Sequence, residues 1–128
     1  MPTIFSRIIA GEIPSYKIAE DDRYFAFLDI KPLTKGHTLV IPKQETDYLF
    51  DLDDRTLADM MLFAKRIAVK IKQVTGCKRV AVVVLGMEVP HAHIHLIPIN
   101  SEEEVDFRRE RVDLTPEEFE KIAAAIRL

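Results

Sequence analysis

The run His91-Ala92-His93-Ile94-His95-Leu96-Ile97-Pro98 alternates histidine with apolar residues at a period of two. That period belongs to a strand, in which successive side chains leave opposite faces. A strand here sets His91, His93 and His95 on one face and Ala92, Ile94 and Leu96 on the other. Same-face neighbours are then roughly 6.5–7 Å apart. Three of the chain's four histidines thus fall into one row. A purely apolar face would not carry three imidazoles, each with two nitrogens that need partners. The row therefore points to chemistry, in one of two forms. One is catalysis by imidazole. The other is a metal site, with an H-x-H pair as two ligands and His37 brought up as a third.

The rest of the chain reads as strands and helices without a βαβ rhythm. Ile4 to Gly11 is a short opening helix closed by Gly11, with Pro14 just beyond. Tyr16–Ala19 and Tyr24–Asp29 are short strands around a Glu20-Asp21-Asp22 turn, and His37–Ile41 is a third strand stopped by Pro42. Leu57, Met60/Met61, Ala64, Ile67/Ala68, Ile71 and Val74 form one stripe of a long helix, capped by Asp51 and Asp53 and stopped by Gly76. Arg79–Leu85 is a β-branched strand, turned by Gly86–Pro90 into the histidine strand as a hairpin. Thr115-Pro116-Glu117-Glu118 is a capping box opening a last helix whose apolar side is Phe119, Ile122, Ala123 and Ile126. The fold class expected is α+β, an antiparallel sheet packed with one long helix and short terminal helices.

With 128 residues, 48% hydrophobic and 30% charged, and no repeats or linkers, residues 1–128 are expected to form a single domain with a real core. A net charge of −3 argues against a broad nucleic-acid or membrane surface, though not against a small anionic ligand. No apolar run approaches the ~20 residues of a membrane span. The opening residues lack a basic leader followed by a long apolar stretch, so no signal peptide is expected. The single Cys77 cannot form an intrachain disulfide and fits a reducing cytoplasm. The expected location is cytoplasmic.

The motif His91-Ala92-His93-Ile94-His95-Leu96-Ile97 resembles that of the histidine triad (HIT) nucleotide hydrolases and transferases. Ile4–Pro14 looks like that family's opening. Phe27-Leu28-Asp29-Ile30 with Pro32, and Gly36–Lys43, look like its nucleoside-binding and first-histidine segments. The resemblance covers about residues 3–100, in order, and is nearest to the small nucleoside phosphoramidases often called Hint proteins. It implies a HIT-like fold and a purine nucleotide substrate. His93 would be the nucleophile at the α-phosphorus, forming a nucleotidyl-histidine that water then hydrolyses. His91 and His95 would flank the phosphate as hydrogen-bond or proton donors, and His37 would orient the set. Asp29 matches the carboxylate that takes the ribose hydroxyls. Ile4, Phe5, Ile8, Phe27, Leu28 and Ile30 would line the slot for the base.

The sequence departs from that pattern twice. Zinc-containing bacterial relatives open with C-x-x-C, and Thr3 and Ser6 stand at the matching positions. With no thiolates, neither a metal nor another cofactor is expected. The segment before the triad usually carries an Asn, a glycine loop and a Gln, whereas Leu85 and Met87 stand where those polar groups belong. Fewer donors then face the phosphate, which keeps a low-activity nucleotide-binding protein open beside a hydrolase. Dinucleoside polyphosphates are the alternative substrates. The resemblance further implies a two-fold homodimer through the long helix and Arg79–Leu85. That strand is apolar on both faces and unprotected by proline, so it would aggregate as an uncovered edge.

Overall fold

The computed structural model describes residues 2–128 and places five strands in one antiparallel sheet ordered β1-β2-β3-β5-β4. The strands are β1 (Lys17–Glu20), β2 (Tyr24–Leu28), β3 (Thr38–Pro42), β4 (Arg79–Val83) and β5 (Ile94–Ile99). The helices are α1 (Ile4–Ile9), α2 (Asp54–Thr75) and α3 (Pro116–Ile126). This is the expected α+β architecture. Among the described residues, no helix is long and apolar enough to cross a membrane.

The centre of the sheet, β2 and β3, is buried on both faces, and the alternation along β2 decides what goes where. Tyr24, Ala26 and Leu28 point to the side of α2 and α3, into the main core with Met60, Phe63, Ile67, Ile71 and Ile126. Phe25 and Phe27 point the other way, into a smaller cluster with Phe5, Leu39 and Ile41 under α1. Each large side chain taken fully out of water contributes roughly 1.5–3 kcal/mol. The α2 stripe, Met60, Ala64, Ile67 and Ile71 in particular, is therefore the main anchor of the fold. Met61 and Val74 do not share it; both are 42% exposed on the outer side of α2. Asp53, not Asp51, caps α2 by accepting from the Thr56 amide at 3.2 Å. Gly76 closes it at φ +70°, a left-handed conformation that glycine adopts without strain. The capping box at Thr115 and Glu118 forms, and Tyr16 stacks on Phe119 at 4.8 Å to tie α3 to the sheet.

Two expectations about the histidine run are corrected. The strand begins at Ile94 rather than His91, because the preceding backbone bonds elsewhere. The His91 amide donates to the Val89 carbonyl at 2.8 Å and the Ala92 amide to the Thr46 carbonyl at 2.7 Å. The last rung between β3 and β5 is Val40 opposite Ile94. β4 stops at Val83, so residues 84–93 form a long loop between β4 and β5 instead of a tight turn over Gly86–Pro90.

Candidate active site

His95 pairs with Leu39 on one side and Val83 on the other. It therefore projects from the α1 face of the sheet, away from α2. His37 sits just ahead of β3, after the Pro32–Gly36 turn, and is fully buried. Its Nδ1 accepts from the Leu33 amide at 3.0 Å, which leaves the proton of the neutral ring on Nε2. That Nε2–H donates to His95 Nδ1 at 2.9 Å. His95 must then carry its own proton on Nε2. Burial holds both rings neutral, with a further push from the charge of the neighbouring imidazole and of Arg111. His37 is lowered to about 3 and His95 to about 4. One buried turn amide thus fixes the tautomers of two imidazoles.

His93 is set by a different bond. Its Nδ1 donates to the carbonyl of His91 at 2.7 Å, so the lone pair lies on Nε2. Burial lowers its pKa as well, against the pull of the His91 carbonyl. Neither His93 Nε2 nor His95 Nε2 has a protein partner, and among the described residues no buried side-chain nitrogen or oxygen lacks one. Both atoms therefore open on the cavity that His93 and His95 line. The result is a nucleophilic nitrogen beside an N–H donor, with ring centroids 5.1 Å apart.

His91 does not join them. Its Nε2 donates to the Pro42 carbonyl at 2.8 Å and its Nδ1 meets Thr3 Oγ1 at 2.7 Å, so both ring nitrogens are used inside the protein. The reason is the departure from strand geometry at His91–His93, which turns this ring toward α1 rather than along the row. Thr3 caps α1 by accepting from the Ser6 amide, while Glu45 takes the Thr3 amide at 2.6 Å and the Ser6 hydroxyl at 3.1 Å.

The cavity measures about 560 Å³, in the range of small-ligand sites. Phe5 and Phe27 form its apolar floor, with rings 5.6 Å apart, and Phe5 stands edge-on to His93 at 5.1 Å. Ile8 lines it half-buried, while Ile4 and Ile30 form an exposed rim. Leu28 borders the cavity, but its side chain packs into the α2 core, as the β2 alternation requires. Asp29 follows directly. Its Oδ1 accepts from the Lys31 amide at 2.8 Å and its Oδ2 lies 3.6 Å from His37 Nε2. Desolvation raises the Asp29 pKa, opposed by the Lys31 amide and by Arg111. On the loop side the wall is Leu85, Met87, Glu88 and Val89, largely apolar and exposed.

Of the lining residues that escape a sequence reading, two stand against the histidines or each other. Phe107 packs edge-on against His95 at 4.9 Å, and Arg111 lies over the Phe107 ring at 5.4 Å. Both come from the charged stretch after β5, where a lone Phe among Glu, Asp and Arg is the one visible hint.

Among the described residues, the group that gathers three possible metal ligands has its histidine nitrogens already engaged with one another. Asp29, His37 and His95 bring ligand atoms within 4.8 Å of one another. Yet His37 Nδ1 is taken by the Leu33 amide, and His37 Nε2 shares a proton with His95 Nδ1. At Thr3 and Ser6, hydroxyls bonded to His91 and Glu45 stand in place of thiolates. Neither group leaves an unpartnered buried donor for an ion to satisfy.

A family model described as the HIT domain matches residues 10–102. The chain belongs to the HIT family. Adenosine 5'-monophosphoramidase HNT1 of Saccharomyces cerevisiae is 43% identical over 100 residues, covering 77% of this HIT protein and 63% of the yeast one. The adenosine 5'-monophosphoramidase of Schizosaccharomyces pombe is 37% identical over 108 residues, 80% of this chain and 78% of that one. Among solved structures, a HIT-like protein from Bartonella henselae superposes with a TM-score of 0.82 at 34% identity, covering 98% of this chain and 94% of its own. A zinc-bound histidine triad protein from Mycobacterium smegmatis reaches 0.80 at 30% identity, with 96% and 91% covered. The HIT fold extends well past the matched segment, and Thr3, Phe107 and Arg111 all lie outside it.

Proposed function

We propose that this HIT protein is a nucleotidyl hydrolase that cleaves the bond to the α-phosphorus of purine nucleoside phosphoramidates or related adenylates. The observation that carries the reading is the tautomer lock on His93, which leaves Nε2 as a free lone pair at the cavity. In the first step His93 Nε2 bonds to the α-phosphorus and the bond from phosphorus to the leaving amine or oxyanion breaks. The His95 Nε2–H lies beside it to donate to a phosphate oxygen or to the departing group. In the second step water attacks the nucleotidyl-histidine, the P–N bond breaks, and nucleoside monophosphate leaves with His93 restored. His37 orients His95 through the 2.9 Å bond. His91 supports His93 through its carbonyl, so its part is positioning rather than contact with phosphate. Asp29 takes the ribose hydroxyls, and Phe5, Phe27, Ile8, Ile4 and Ile30 hold the base. The yeast relatives named adenosine 5'-monophosphoramidases support this choice of leaving group.

The apolar wall of Leu85 and Met87 supports a second reading, a protein that binds nucleotide and turns it over little. A panel of AMP amidates, esters and anhydrides, dinucleoside polyphosphates included, separates the two under single-turnover conditions. The hydrolase should release AMP from the amidate in one enzyme equivalent. His93→Ala should abolish release while AMP still binds, since base and ribose contacts lie elsewhere. Normal turnover by His93→Ala would overturn the nucleophile assignment, and binding without release by the wild type would select the second reading.

A further inference from the structure

The site proposed above has a nucleophile and donors but little positive charge. His37, His93 and His95 all line or back the phosphate end, and burial keeps all three neutral near pH 7. A nucleotide phosphate brings at least one negative charge into this cavity, beside the carboxylate of Asp29 and the rim carboxylate of Glu88. The cations lining the cavity are Lys31, on an exposed turn, and Arg111. Of the two, Arg111 is held in place. Its Nη1 donates to the Lys31 carbonyl at 2.9 Å and its Nη2 to the Phe107 carbonyl at 3.0 Å. The Val112 amide donates to the Pro32 carbonyl at 2.9 Å and pins the same segment beside the Asp29 loop. A guanidinium has five N–H donors, and these bonds leave three free. It lines the same cavity as Asp29, His93 and His95, and its charge is felt at Asp29, His37 and His95.

We propose that Arg111 is a phosphate-binding residue of this site, supplying from the C-terminal segment the charge that the triad and the apolar 84–93 loop do not. This inference rests on the nucleotide reading above. A fixed guanidinium binds a phosphate through charge-assisted hydrogen bonds, with little ordering left to do on binding. The consequence is selection by charge, in which the pocket prefers a nucleotide over the corresponding nucleoside.

Calorimetric titration of the full chain with AMP and with adenosine tests it. Arg111→Gln should weaken AMP about 10- to 100-fold, the range of a lost charge-assisted bond, and leave adenosine within about twofold. Arg111→Lys, which keeps the charge, should recover most of the AMP affinity. Equal losses for AMP and adenosine would show that Arg111 only pins the Phe107 segment, and unchanged AMP binding would also overturn the proposal. If Arg111→Gln does not fold, Arg111→Leu takes its place: AMP discrimination lost there but kept in Arg111→Lys supports the charge role, and discrimination kept in both overturns it. A wild type that binds neither ligand would sink the nucleotide reading itself, a distinct result.

Discussion

The Leu33 amide, by donating to His37 Nδ1, sets which nitrogen faces outward two rings away on His95. That dependence has a consequence for stability. An unfolded histidine titrates near 6.5, whereas folded His37 is held down at about 3. Between these values the unfolded chain binds a proton that the folded chain refuses. The stability contributed by neutral His37 is therefore complete above pH 6.5 and is lost as pH falls toward 3. Denaturant melts from pH 7 to 4 should show the wild type losing stability more steeply than His37→Asn. Equal slopes would mean that His37 is not held neutral. At this scale the sequence showed which residue types meet but not how they are oriented. The alternation placed His95 correctly because the β ladder holds it. It misplaced the ring of His91, whose direction depends on Val89, Thr46 and Thr3 bonds that no local pattern encodes.

Elements whose cause lies within their own residues were legible: the α2 stripe with its Asp53 cap, the Thr115 capping box, and the strands flanking the acidic turn. Those set by distant partners were not. The loop over residues 84–93 looked like a tight hairpin because Gly86 and Pro90 are local turn signals, yet the Ala92–Thr46 bond draws the chain out. The 105–114 segment, charged and featureless in sequence, becomes a wall of the site through Phe107. The Pro32–Gly36 turn that delivers His37 offers a test at this scale. Gly36 has φ +98°, and a Cβ there would meet Thr75 Cγ2 at 3.3 Å and Pro98 Cγ at 3.4 Å. Gly76 has φ +70° with nothing within 4 Å. Gly76→Ala pays only for the backbone, of order 1 kcal/mol, whereas Gly36→Ala adds a crowded contact between α2 and β5 and should cost about 1–3 kcal/mol. Because Gly36 precedes His37, Gly36→Ala should also slow turnover while Gly76→Ala does not. Equal stability losses for the two variants would mean that the packing at Gly36 yields freely.

For the whole molecule, the sheet order leaves β4 at an edge, with no strand beyond it among the described residues. Val82 is 51% exposed there, and Val84 and Leu85 continue the apolar surface past the strand end. Leu62 and Val69 add exposed apolar area on the outer side of α2. An open, apolar edge with free backbone donors and acceptors is a pairing hazard. Pairing β4 with a second copy about a two-fold axis would satisfy those groups and close the assembly against further growth. Light scattering at micromolar concentration should then give about twice the 14.7 kDa of one chain. Val82→Lys, which sets a charge at the centre of the edge, should shift the mass toward one chain. The loop that leaves β4 carries Leu85, Met87 and Val89 into the cavity wall. Holding the edge should therefore steady one side of the site, and Val82→Lys should weaken AMP binding relative to the wild type at concentrations where the wild type is a dimer, the difference vanishing on dilution to monomer. A wild-type mass of one chain at micromolar concentration would refute the dimer. A Val82→Lys dimer with unchanged mass would move the interface away from β4.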